Sequence, residues 1–107
     1  MSDIYHTEEQ LEKIAHWDAT QYGLKDLFAY VRSLWAYADC GFWTEYDGVD
    51  MFGNIRRYYQ VSTAGWSGNE DIVRAMMSNI LLWAYTWEQS RRGGHYLFSH
   101  DQMEAER

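Results

Sequence analysis

The sequence predicts an α+β fold, with three helices over about 7–22, 24–38 and 69–92 and a small antiparallel sheet over about 42–46, 55–63 and 95–100. Two observations carry this. Leu24, Leu27, Phe28, Val31, Leu34, Trp35 and Ala38 recur at three- and four-residue steps, as do Val73, Met76, Ile80, Trp83 and Trp87. That spacing lays apolar side chains along one helix face. Residues 54–63 instead alternate with period two: Ile55, Arg57, Tyr59 and Val61 share one face and Arg56, Tyr58, Gln60 and Ser62 the other, as in a strand. A chain of 107 residues makes one domain and buries roughly two-thirds of its unfolded surface, enough for a core without staples.

The first helix opens on a capping box, Thr7 with Gln10, and Glu8 and Glu9 sit where acids suit the helix dipole. Leu11, Ile14, Ala15 and Tyr22 give it an apolar side, and Gly23 stops it. The second helix, 24–38, turns Lys25, Asp26, Arg32 and Ser33 to water. From Asp39 to Gly53 the helical period fails, and Phe42, Trp43 and Tyr46 lead into Asp47-Gly48, a tight-turn dipeptide that implies a short hairpin or an ordered aromatic loop. After the strand, Thr63-Ala64-Gly65 turns into Trp66-Ser67-Gly68-Asn69-Glu70, where Ser67 and Glu70 have the spacing of a second capping box.

The third helix has two possible ends. Five apolar positions keep helical step through Trp87, and Arg91-Arg92-Gly93-Gly94 has the cations and glycine of a helix terminus, so we read one helix to about Arg92. His95 to His100 is then a strand. The alternative ends the helix near Trp83, makes a strand of Tyr85–Arg91 and turns at Gly93-Gly94 into His95–His100. The choice matters for function. A helix rising ~1.5 Å per residue separates Trp66 from Arg91 by over ~30 Å, so the long helix allows a shared pocket only between two antiparallel chains. A strand returning at ~3.3 Å per residue brings Arg91 back beside the helix start.

Composition narrows the function classes. The formal charge of −7 argues against general DNA or RNA binding, which gains its affinity from a basic surface. A local cationic spot, or docking on a basic partner protein, remains open. Six Trp, nine Tyr and four Phe exceed what a core this size needs, so some rings face a ligand, a partner or a second copy, and a homodimer is expected. One cysteine, Cys40, excludes an internal disulfide and a cysteine zinc site, and it reads as a small buried residue. Met76 and Met77 read as core. Neither a signal peptide nor an apolar run of ~20 residues is present, which implies a soluble, cytoplasmic chain without membrane contact.

Two motifs carry candidate chemistry. In Arg91-Arg92-Gly93-Gly94-His95-Tyr96, two guanidinium forks beside an open glycine backbone can hold phosphate or carboxylate, with Tyr96 stacking on a base. A capped helix end accounts for the same residues without a ligand. At Trp66, Ser67, Gly68, Asn69 and Glu70, a helix start offers free N–H groups and partial positive charge to an anion, though a helix cap alone also explains the motif. Arg56, Arg57, Tyr58 and Tyr59 can add to a polar binding face. Ser67 as a nucleophile with His95 as base gives an alternative hydrolase or nuclease. However, Gly65-Trp66-Ser67-Gly68 lacks the second glycine of a nucleophile elbow, and no acid is placed to orient His95. His6, His16, His95 and His100 lack metal-ligand spacing, and Asp47 and Asp50 lack the ligands of a calcium loop, so neither metal nor cofactor is expected.

The segments Tyr59–Glu70 and Ser90–Tyr96 resemble those of a group of small, uncharacterised bacteriophage and prophage proteins. The resemblance covers roughly the C-terminal half and carries over no catalytic residue. It implies an accessory protein working in the host bacterial cytoplasm. The expected function is a non-enzymatic counter-defence binder, which either sequesters a nucleotide-type signal or inhibits a host defence protein. A virion or assembly accessory role is a further alternative.

Overall fold

The computed structural model describes residues 7–18 and 23–101. Among the described residues, four α-helices, α1 Glu8–Ala15, α2 Leu24–Leu34, α3 Ser67–Ser78 and α4 Ile80–Thr86, accompany four strands, β1 Trp43–Val49, β2 Ile55–Ser62, β3 Trp87–Arg91 and β4 His95–Asp101. The strands form one antiparallel sheet in the order β1-β2-β4-β3. The expected α+β class holds. The expected three helices are four, because the third is broken.

The Thr7 capping box forms as its spacing predicts: Thr7 Oγ1 accepts from the Gln10 amide at 3.1 Å and Gln10 Oε1 from the Thr7 amide at 2.9 Å. The helix nevertheless ends at Ala15, not near Tyr22; residues 19–22 lie outside the described residues. The side-chain amide of Asn79 takes the carbonyls of Ile14 and Trp17 at 3.1 and 2.8 Å. The end of α1 is thereby satisfied from outside the helix.

The second helix stops at Leu34 instead of Ala38 because two groups across the fold claim its next residues. The Trp35 indole N–H donates to the Ser62 carbonyl at 3.1 Å, and the Ala36 amide donates to Asn69 Oδ1 at 2.9 Å. Tyr37 then takes a left-handed conformation, φ 60°, ahead of a short 3-10 turn over Ala38–Cys40. Cys40 in that turn is exposed, contrary to the expectation of burial.

The first hairpin does not turn at Asp47-Gly48. Both residues lie inside β1, opposite Arg57 and Arg56. Gly48 is there because the Tyr58 ring crosses it; a Cβ would lie 2.8 Å from Tyr58 Cε2. The turn is Asp50–Asn54, where one Asp50 carboxylate oxygen accepts from the amides of Phe52 and Asn54, both at 2.9 Å, and Gly53 supplies φ 84°. This side-chain-built turn out-competes the dipeptide signal.

Asn79 also breaks the long third helix. It is extended, φ −91° and ψ 92°, and its Oδ1 accepts from the Leu82 amide at 3.2 Å to cap α4. With two further bonds to Ile14 and Trp17, the side chain satisfies more groups outside a helix than within one. The alternative with a final hairpin is therefore the one that holds, although helix continues to Thr86 rather than ending near Trp83 and the strand begins at Trp87 rather than Tyr85. Gly93 and Gly94 are a hairpin turn with φ 90° and 79°, and Arg91 pairs with His95.

The helices cover one face of the sheet. Phe28 from α2 stacks on Tyr59 at 4.1 Å and 10°, and Ile14, Ile72, Met76, Leu82 and Phe98 close around them, each at most 1 % exposed. Met76 is core as expected, whereas Met77 is half exposed. Tyr59 donates to or accepts from His100 Nε2 at 2.9 Å. Burial, reinforced by the nearby Glu45 charge, pushes the Tyr59 phenol up to about 12. No described helix is long and apolar enough to cross a membrane.

Candidate functional site

The sheet's other face is the place where polar residues converge. Strand alternation sends Tyr59, Val61 and Phe98 to the core, and so sends Tyr58, Gln60 and Leu97 outward. Register then lines up Gln60 with Leu97, Leu97 with Gln89, and His95 with Arg91 across β2, β4 and β3. A cavity of about 570 Å³ opens over these residues, bordered also by Tyr46, Arg92 and Tyr96. Tyr46 and Tyr58 stack at 5.2 Å and 14°, forming an aromatic ledge on the β1 side.

The cations at the opposite end differ from Arg32, Arg57 and Arg74 in having no acidic partner among the described residues. Arg32 is held by Asp39 at 2.7 Å, Arg57 by Glu45 and Asp47 at 2.7 and 3.1 Å, and Arg74 by Asp71 at 2.8 Å. Arg56 donates to Ser99 Oγ at 3.0 Å. Arg91 and Arg92 are exposed and make no ion pair among the described residues, although acids outnumber bases sixteen to nine. Glu45 shows the contrary case. Burial alone would raise its carboxyl, but hydrogen bonds from Arg57 and Trp43 and the charges of Arg57 and Arg32 hold it below its ordinary value.

Of the eleven residues singled out in the sequence, the cavity gathers Arg91, Arg92, His95 and Tyr96. The Tyr96 ring leans to the core side, stacked on Phe98 at 6.2 Å and edge-on to Trp83. Gly93 and Gly94 form the turn beneath the arginines.

Trp66, Ser67, Gly68, Asn69 and Glu70 stand apart from the cavity lining. Trp66, not Ser67, is the N-cap of α3, and it makes no side-chain cap. Ser67 is the first helical residue and exposed, so the expected Ser67–Glu70 capping box does not form. Instead the Glu70 amide donates to the Trp66 carbonyl at 3.0 Å, and the Glu70 carboxylate lies 3.5 Å from Thr63 Oγ1. Gly68 and Asn69 are buried, and Asn69 grips both backbone groups of Ala36. The Trp66 ring packs at 5.2 Å from Tyr37. The motif therefore joins α2 to α3. Ser67 and His95 share no hydrogen bond.

The two motifs do approach one another within one chain. The Thr63 amide donates to the Gly94 carbonyl at 2.9 Å, so the hairpin turn carrying Arg92 sits against the loop that leads into α3. Adjacency of the motifs requires no second chain, unlike the arrangement a long helix would impose.

Sequence reasoning missed Tyr46, Gln60, Gln89 and Leu97. The period-two pattern already set Gln60 and Tyr58 on one face, opposite Tyr59. Tyr46 and Gln89 needed the pairing of β1 and β3, which a misplaced turn and an over-long helix concealed. Among the described residues, no group of three or more His, Cys, Asp or Glu is placed to hold a metal ion. No protein-family model, curated protein or solved structure matches this chain.

Proposed function

We propose that the chain is a non-enzymatic binder of a small nucleotide-type anion, held in the cleft on the open face of the sheet. The observation that carries this is the adjacent pair Arg91 and Arg92, bordering a cavity of about 570 Å³ with no carboxylate paired to either among the described residues. Free guanidinium forks suit phosphate, which they engage through paired N–H donors. His95 adds a donor beside them. The Gln60 and Gln89 side chains supply the donors and acceptors that a base edge needs, and the exposed Tyr46 ring supplies a stacking surface. The volume lies within the range of small-ligand sites.

The resemblance of 59–70 and 90–96 to small phage proteins supports a counter-defence role. Such a protein withdraws a host signal by holding it, and turnover is unnecessary. A second reading, inhibition of a host protein by direct docking, is favoured by the tip of the first hairpin. There Val49, Met51, Phe52 and Ile55 are 59–87 % exposed on a turn fixed by Asp50.

Thermal-shift and calorimetric titration with linear and cyclic nucleotides tests the cleft. A ligand at a hundred times its dissociation constant stabilises the fold by about 2.7 kcal/mol. The reading requires that shift in the wild type, its loss in Arg91→Ala and Arg92→Ala, and intact ligand recovered afterwards. A shift undiminished in both variants overturns it.

A further inference from the structure

The floor of the cleft is a grid whose rows follow from the pairing register. Gln60 on β2 faces Leu97 on β4, and Leu97 faces Gln89 on β3, so one row reads Gln60, Leu97, Gln89 across three neighbouring strands. The next row towards the turn reads Ser62, His95, Arg91. All three residues of the first row line the cavity, with both glutamines exposed and Leu97 half-buried between them. Strands stand about 4.8 Å apart, so the two glutamines flank Leu97 at roughly 9.6 Å backbone to backbone. Successive rows on one face lie about 6.8 Å apart along the strands.

This grid discriminates between bases. A planar ring laid on the Leu97 side chain gains apolar contact below and has a glutamine amide on either side. Its sugar then points along the strands towards His95 and Arg91, and a gap of about 6.8 Å is one that a single ribose bridges. In that pose a purine turns N7 and its 6-substituent to one glutamine, and N1, N3 or a 2-amino group to the other. Each amide carries an N–H donor beside a carbonyl acceptor and so matches such edges. A pyrimidine in the same pose turns O2 and N3 to one side. To the other it offers only C5 and C6, which neither donate nor accept, and one glutamine is left without a partner. We infer that the cleft selects purine mononucleotides, with Gln60 and Gln89 as the residues that determine the base; this rests on the reading of the cleft as a nucleotide-type anion site.

Calorimetric titration with the ribonucleoside monophosphates of adenine, guanine, cytosine and uracil tests this, because the phosphate is constant and only the base varies. The tighter-binding purine nucleotide should exceed both pyrimidine nucleotides in affinity at least about tenfold. Gln60→Leu and Gln89→Leu, both at exposed strand positions, should each shrink that ratio, with circular dichroism confirming the fold. Arg91→Ala should weaken all four ligands alike and leave the ratio in place. Equal affinities for the four in the wild type overturn the base selectivity while the anion site stands. A purine preference undiminished in both glutamine variants overturns the inference as well. Failure of all four to bind removes the anion site, and the selectivity with it.

Discussion

Thr63 and Gly94 fit each other as a lock between the two halves of the chain: the Thr63 amide donates to the Gly94 carbonyl at 2.9 Å, and Thr63 Oγ1 occupies the space where a Cβ on residue 94 would lie, 2.1 Å away. Gly94 is also left-handed, with φ 79°. Gly94→Ala therefore carries two penalties, a conformational one of about 1–2 kcal/mol and an overpacking one of similar size. Gly93→Ala carries only the first, since its Cβ would meet His95 at an ordinary 3.4 Å. Urea titration should show Gly94→Ala as the more destabilised variant, and equal midpoints would contradict the lock.

Arg91 and Arg92 contribute no ion pair among the described residues, so removing either should cost the fold little. Arg91→Ala and Arg92→Ala are expected within about 0.5 kcal/mol of the wild type in urea. Ligand binding should fall in the same proteins. Loss of stability and binding together would place these arginines in the scaffold.

Glu45 links stability to acid. Burial, the largest single influence, would raise its carboxyl, but the hydrogen bonds from Arg57 and Trp43 together with the charges of Arg57 and Arg32 hold it below its unfolded value. The stability it contributes is fully present above the unfolded value and is lost as pH falls through the folded one. Glu45→Gln should lose stability at neutral pH and show a flatter acid slope than the wild type. An unchanged slope, measured by urea midpoints between neutral pH and pH 3, would exclude Glu45 as a source of the acid sensitivity.

Tyr59 gives the opposite sign. Its phenol is raised from about 10 to about 12, burial being the largest cause. A raised folded value contributes stability fully present below pH 10 and lost as pH climbs towards 12. Tyr59→Phe should flatten the alkaline limb, and should cost about 1–2 kcal/mol at neutral pH through the lost bond to His100. Tyrosinate absorbance should show one phenol in the wild type that ionises only at high pH and that the variant lacks.

Asn79 shows where the sequence was legible and where it was not. Apolar positions before and after it keep helical step, because α3 and α4 both rest on the same core and need the same facing residues. Periodicity reports which side faces inward, and it is silent about a backbone break that preserves that facing. The break depends on side-chain bonds to Ile14 and Trp17, more than sixty residues away. Asn79→Ala removes these and the Leu82 cap, and should cost about 2–4 kcal/mol in a urea titration. A neutral result would show that packing alone bends the chain.

The same contrast holds elsewhere. The Thr7 box and the β2 alternation were readable because they depend on residues at most a few positions apart. The strand length of β1 was not, because it rests on Tyr58 covering Gly48 and on Asp50 closing the turn. For the candidate site, Arg91, Arg92, His95 and Tyr96 were readable as chemistry. Their partners Tyr46, Gln60 and Gln89 come from three different strands and required the sheet order.

That order, β1-β2-β4-β3, sets a sequence of folding events. The β1–β2 and β3–β4 hairpins close through short local turns, whereas β2 meets β4 only across a long stretch of chain, with Arg56 facing Asp101 and Ser62 facing His95. Loop closure for such distant pairs makes that seam the slow step. Until it closes, β2 offers an unpaired edge to other chains, an aggregation hazard during synthesis. The cleft straddles the seam, with Gln60 on one bank and His95 and Leu97 on the other. If the cleft binds as proposed, binding competence is acquired last, and a ligand there would act as a clasp on the joint that forms latest.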